Sequence, residues 1–124
     1  MAHVTSTIDI HLEAYCEPDS ERRNELLSRV WSESGTLIDP PFDGTGIGPI
    51  SSMGEAVLEH YPGHRFRRTS DVDTHHVFAR YAWDLVAPDG TVAVNGLDVV
   101  EFGEDGKLIR VVGFFGDLPG QVAS

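Results

Sequence analysis

A single cysteine, Cys16, leaves the 124-residue chain unable to close an internal disulfide. That points to a reducing compartment, and no basic and apolar leader is recognisable, so the expected location is cytoplasmic. Positive charge is scarce: 9 Lys and Arg stand against 20 Asp and Glu, a formal net charge of −11. Such a surface repels phosphates and anionic headgroups, so neither nucleic acid nor a membrane surface is an expected partner. No apolar run reaches the roughly 18 residues a spanning helix needs. Metal-ligand spacing is also missing. His60 and His64 in "HYPGH" are separated by a Pro-Gly turn, and His75 and His76 are strand neighbours that should face opposite ways. "GTGIGP" lacks the lysine of a phosphate loop. No metal or cofactor is expected. Repeats and linkers are absent, so residues 1–124 read as one domain.

Helical periodicity is present in the first half. Ile8, Leu12 and Tyr15 share a face over residues 5–16, with His11 beside them. "PDSERRNELLSRVW" predicts a second helix capped by Asp19 or Ser20, with Leu26, Leu27, Val30 and Trp31 buried and Gly35 as its stop. "TLIDPP" reads as a short extended piece, and Pro49 opens a third helix with Ile50, Met53, Val57 and Tyr61 as its stripe. The second half alternates. Strands are predicted over residues 65–69, 73–86, 91–102 and 107–115, with "PDG" and "EDG" as hairpin turns. "RFRR" reads as an edge strand guarded by charge, and Arg80 as a partner for Asp84 on the outer face. Helices followed by an antiparallel meander make an α+β layout, with helices covering one face of a curved sheet.

Strand parity singles out one carboxylate. The apolar set of residues 75–86 is odd-numbered: His75, Val77, Ala79, Tyr81, Trp83 and Leu85. In the next strand it is even-numbered: Val92, Val94, Gly96, Asp98, Val100 and Phe102. If both hairpins have two-residue turns, Tyr81 pairs with Asp98, Val100 with Val111 and Asp98 with Gly113, and Ile109, Val111 and Phe115 join the inward face. Asp98 then stands alone on an apolar wall, where desolvation favours its protonated form. Asp39, before Pro40, ends the short extended piece. If it opens on the same space, two carboxylates in unlike environments can divide the roles of base and acid in removing a proton beside a carbonyl.

These features together resemble the nuclear transport factor 2-like superfamily, in its SnoaL-like and ketosteroid isomerase-like branch. The resemblance is carried by "TLIDPPFDGTG", "PGHRF", "DVDTHHVFARYAWDL" and "GLDVVEFGEDGKLIRVVGFF". It implies a cone-shaped curved antiparallel sheet with three helices (cystatin-like topology), a hydrophobic pocket, and a homodimer, as in many relatives. In the isomerase branch a general-base aspartate precedes proline, which Asp39 matches, and a protonated aspartate lies on a later strand, which Asp98 matches. The tyrosine of that branch falls on His11, with Tyr15 one turn on. SnoaL-like cyclases close rings with an acidic residue and no cofactor. The Asp-Arg-Asp relay of limonene epoxide hydrolase is not formed, because Arg80 faces outward. The expected function is cofactor-free acid/base catalysis, isomerase- or cyclase-like, on a small hydrophobic carbonyl compound. Asp39, Asp98 and His11 are the candidate catalytic residues, and Tyr15, Met53, Tyr81, Trp83, Val111 and Phe115 the candidate substrate-binding ones. The alternative is a non-catalytic module that binds a small ligand or dimerises, with Phe78, Leu97 and Phe114 on its outer face.

Overall fold

A computed structural model describes residues 3–120. Helix α1 (Val4–Tyr15) and helix α2 (Ser20–Val30) lead directly into strand β1 (Trp31–Ile38). Strand β2 (Asp43–Thr45), helix α3 (Ile47–His60), and strands β3 (Arg65–Arg68), β4 (Asp73–His75), β5 (Phe78–Val86), β6 (Val92–Phe102) and β7 (Leu108–Phe115) follow. The strands form one curved sheet in the order β2-β1-β7-β6-β5-β3, with β4 also paired to β5. β1 and β7 run parallel, so the sheet is mixed rather than antiparallel throughout. None of the helices among the described residues is long and apolar enough to cross a membrane.

The helices follow the apolar spacing. Ile8, His11, Leu12 and Tyr15 of α1 are buried, as are Leu26, Leu27 and Val30 of α2. Asp19 caps α2 by accepting from the Glu21 N–H at 3.0 Å. That helix stops at Val30, earlier than Gly35: Trp31 turns extended and begins an eight-residue strand. The short extended piece read at "TLIDPP" is therefore only the end of β1. Trp31 keeps its burial because its indole folds over Gly35, where an added Cβ would lie 2.4 Å from the ring. α3 begins at Ile47, two residues before Pro49, which sits within its first turn.

The sheet has the expected register, reached by a different route. Tyr81 pairs with Asp98, Asp98 with Gly113 and Val100 with Val111. Both hairpins, however, have three-residue loops. Ala87 N–H donates to Thr91 O, and Gly103 N–H to Lys107 O, each at 2.8 Å. Gly90 (φ 91°) and Gly106 (φ 81°) supply the left-handed residue such loops require. A bulge then shifts each ladder by one residue, beside Val86 and beside Phe102. The extra loop residue and the bulge cancel, which restores the parity beyond them. Inside the bulges parity does fail: Leu108 is buried where Ile109 was expected, and Val92 is exposed.

Residues 73–86 are not one strand. His76 adopts a left-handed φ of 51° and reverses the chain, so β4 folds back on β5 and pairs Asp73 with Arg80. His75 and Val77 are consequently exposed, against the inward expectation. The Nδ1 atoms of His75 and His76 sit 3.1 Å apart, on one side of the turn rather than on opposite faces. Arg80 bonds Asp73 at 2.8 Å, not Asp84, which Arg67 takes at 3.2 Å. These pairs and Arg110–Glu101 are solvent-exposed, each contributing about 0–1 kcal/mol.

The inward face of β5, β6 and β7 packs under the helices around Tyr81, Trp83, Leu85, Val100 and Val111. Gly96 is the tightest point: a Cβ there would lie 2.2 Å from Trp83 Cζ2 and 2.6 Å from the Phe114 carbonyl. Gly96→Ala is therefore expected to overpack the wall and lower unfolding free energy by about 1–3 kcal/mol or more, measured by urea denaturation.

Candidate active site

A cavity of about 380 Å³ lies between the helices and the inward sheet face. That size suits a small ligand. Its wall is apolar, with Leu12, Leu37, Phe66, Trp83, Leu85 and Val111 among its residues, and Val57 of α3 and Tyr61 just after it add to the wall. Against this background stand a few polar groups from three parts of the chain: His11 and Tyr15 on α1, Asp39 just after β1, and Asp98 in the middle of β6.

Asp98 is 6% exposed and reaches the cavity from the sheet. Its Oδ2 accepts the Tyr81 hydroxyl at 2.7 Å and its Oδ1 the Trp83 indole N–H at 2.9 Å. Tyr81 and Trp83 are the inward residues of β5 opposite and diagonal to Asp98, so the ladder itself aims both donors at the carboxylate. Burial pushes the Asp98 carboxyl up to about 6; the two donors favour its ionised form and hold it from going higher, and the Asp39 charge adds a smaller upward push.

Asp39 is half-buried. The two prolines after it close a tight turn in which Asp39 N–H donates to Phe42 O at 3.0 Å and Phe42 N–H donates back to Asp39 O at 3.1 Å. Phe42 N–H also reaches Asp39 Oδ1 at 3.1 Å. The turn fixes the side chain toward the cavity. Burial raises this carboxyl too, to about 6, with the Phe42 N–H pulling the other way. A Cβ added at Gly113 would lie 3.0 Å from Asp98 Oδ1 and 3.2 Å from Asp39 Cβ. A methyl group at this position would touch both aspartates, and glycine on β7 leaves that space open.

His11 is buried and its Nδ1 accepts the Trp31 indole N–H at 3.1 Å. An indole can only donate, so the ring proton sits on Nε2. Burial lowers its pKa to about 4, which keeps the ring neutral and a donor above that pH. Tyr15 OH is buried with no partner among the described residues. Burial first, then the Asp39 and Asp98 charges, hold this phenol protonated far above the usual range. Its ring packs between His11 and Phe66.

Of the candidate site residues, Asp39, Asp98, His11, Tyr15, Trp83, Val111 and Phe115 all line the cavity. Met53 and Tyr81 do not. Met53 packs on Gly44, 3.1 Å from where its Cβ would stand, and Tyr81 sits behind Asp98 with its hydroxyl on the carboxylate. Val57 and Tyr61 carried a helical signal without one for the cavity, and Phe66 lay hidden between the arginines of "RFRR". Nothing in the sequence pairs Trp31 with His11.

No family model and no curated protein matches the chain. Solved structures do. A candidate isomerase of the SnoaL-like family from Agrobacterium tumefaciens str. C58 is 35% identical over 94% of this chain and all of its own, with a TM-score of 0.87. An NTF2-like protein of unknown function from Exiguobacterium sp. 255-15 (19% identity, 90% of this chain and 99% of its own, TM-score 0.68) shares the fold. So does a candidate SnoaL-like polyketide cyclase from Jannaschia sp. CCS1 (14%, 90% and 85%, TM-score 0.66). With this cavity and this degree of identity, the chain belongs to the SnoaL-like family, within the NTF2-like fold.

Proposed function

We propose that the cavity catalyses proton transfer at carbon beside a carbonyl, in a small apolar molecule and without a cofactor. The observation that carries this reading is the convergence of Asp39 and Asp98 on one apolar space, both beside Gly113. Asp39 has a single backbone donor and takes the proton from the carbon. The developing oxyanion lies against donors: the unpartnered Tyr15 hydroxyl, His11 Nε2–H, and Asp98 in its protonated form. Tyr81 and Trp83 hold Asp98 in place from behind. The proton on Asp39 then returns to another carbon, an isomerisation, or the enolate carbon attacks a second carbonyl and the alkoxide so formed takes that proton, a ring closure. An apolar ligand that displaces cavity water deepens the desolvation of both carboxyls and favours one shared proton between them.

The direct test is α-hydrogen exchange into D₂O. Apolar ketones incubated with the protein are expected to exchange faster than with buffer carboxylate at equal concentration, by NMR. No acceleration across a panel of such ketones supports the second reading, a non-catalytic pocket for a small apolar ligand. One observation favours that reading: both Asp98 oxygens already hold donors.

The reaction needs one carboxyl ionised and the other protonated. With both held at about 6, kcat/KM is expected to follow a bell centred near pH 6. His11, neutral above about 4, and Tyr15, protonated throughout, add no limb on the alkaline side. A profile flat from pH 5 to 8 contradicts the shared proton.

The proposed partner besides substrate is a second copy of the chain. Ile38, Leu97, Val99 and Phe114 (59% exposed) place apolar surface on the outer sheet face, which supports a homodimer.

A further inference from the structure

The cavity holds an electrostatic demand that proton transfer answers only in part. Two carboxylates face it, and no Lys or Arg is among its lining residues. Six of those residues, Tyr15, Phe42, Tyr61, Phe66, Trp83 and Phe115, carry aromatic rings. Two are locked edge to face on Trp83: Phe66 at 5.3 Å and Phe115 at 5.7 Å between centroids. We propose that this cavity binds apolar ammonium ions, tertiary or quaternary amines whose cationic end sits between Asp39 and Asp98 and whose hydrocarbon part lies on the aromatic wall.

The chemistry follows from what each candidate ligand must leave behind in water. An anion would meet two carboxylates and no cation, so carboxylates and phosphate esters are excluded. A primary ammonium is strongly hydrated and loses much on entering an apolar space. A tertiary or quaternary ammonium spreads its charge over carbon, loses less, and gains from both carboxylate charge and aromatic faces. Above pH 6 the unliganded site carries both charges in an apolar surround, and a bound cation relieves that cost without a proton.

The buried titratable groups around the pair do not supply that charge. From α1, burial keeps His11 neutral, with its Nδ1 accepting from Trp31, and keeps Tyr15 protonated. From β5, Tyr81 donates to Asp98. His60 ends α3 and Tyr61 follows it; His60 is exposed and has Nδ1 3.1 Å from the Ala56 carbonyl of its own helix. The inference shares the two inward carboxylates with the enzymatic reading but requires no proton transfer.

Benzyltrimethylammonium and neopentylbenzene form the test pair, since they differ only in N⁺ for carbon. Binding is followed by tryptophan fluorescence, because Trp83 lines the cavity. At pH 8 the ammonium is expected to bind at least about tenfold tighter than the hydrocarbon. The ligand charge is fixed, so the pH dependence belongs to the protein: the advantage falls through pH 6 and is lost by pH 4.5. Calorimetry at pH 6 in two buffers of unlike ionisation enthalpy is expected to show proton release with the ammonium. Asp39→Asn/Asp98→Asn is expected to abolish the preference; should it not fold, the wild-type pH series and proton count decide alone. Equal or weaker binding of the ammonium at pH 8, no binding of it, or proton uptake overturns the inference. Ammonium preference without α-hydrogen exchange removes the enzymatic reading alone, and exchange without the preference removes this one alone.

Discussion

Asp39→Asn is expected to lower the rate of α-hydrogen exchange about 10²–10⁴-fold, the range a positioned general base contributes. The amide cannot take a proton at working pH, yet it keeps the shape of the carboxyl and can still accept from Phe42 N–H, which bonds Oδ1 at 3.1 Å. The turn through Pro40 and Pro41 is closed mainly by backbone bonds between Asp39 and Phe42, so its geometry survives the change. The loss should therefore fall on kcat, with ligand affinity little altered. Unchanged exchange in this variant would remove Asp39 as the base. Exchange rates by NMR, paired with ligand titration, separate the two effects.

Asp98→Asn is expected to move activity and stability in opposite directions. Exchange should fall about 10²–10³-fold, the loss that follows removal of one oxyanion donor. Unfolding free energy at pH 8 should rise by roughly 1–2 kcal/mol. The sign follows from linkage. The Asp98 carboxyl is raised from 3.8 to about 6 on folding. Below pH 3.8 both states bind the proton and no cost arises. As pH climbs to about 6 the unfolded chain ionises first, and above 6 the native state carries the full penalty, roughly 2–3 kcal/mol at about 1.4 kcal/mol per pH unit. Asparagine never carries that charge. Its oxygen can keep the Trp83 N–H, and the Tyr81 hydroxyl can rotate to accept from the new amide, so little hydrogen bonding is lost. Part of the gain is offset by weaker, uncharged bonds. Urea denaturation of both proteins at pH 8 and pH 4 reads this directly. The gain should shrink toward pH 4, where His11 pulls the opposite way in both: its lowered pKa costs stability as pH falls from 6.5 to about 4.

A buried carboxyl that costs stability and has a displaced pKa is a mark of a functional site. Asp98 has that character because the sheet offers it no solvent. Its neighbours across the strands are Tyr81 and Gly113, and only the cavity gives it room.

How much of this was legible can be judged residue by residue. Alternation along β5 and β6 gave the face of Asp98, because a period of two leaves only two choices. The choice survived a wrong picture of the turns, since the extra residue in each loop is cancelled by a bulge beside it. Depth was not legible. Tyr81 and Trp83 face inward alike, but Trp83 lines the cavity while Tyr81 lies behind Asp98; parity names a face and not a distance from the void. Met53 had the helical spacing of a lid residue and packs instead on Gly44. The reversal at His76 left no trace, because a left-handed histidine looks like any strand histidine in "DTHHVF". Trp31 fell on the helical stripe, and its change to strand is set by packing over Gly35. The His11–Trp31 bond joins residues 20 apart through the fold alone.

The central claim is that Asp39 and Asp98 share one apolar cavity and titrate as a pair. Carbon-13 NMR of aspartate side-chain carboxyls through pH 3–8 tests it most directly, with Asp39→Asn and Asp98→Asn assigning the signals. Two resonances should titrate near 6, and replacing Asp39 should lower the midpoint of Asp98. If every aspartate titrates close to the ordinary value of about 3.9, the two carboxyls are solvated as ordinary surface groups and the account is wrong.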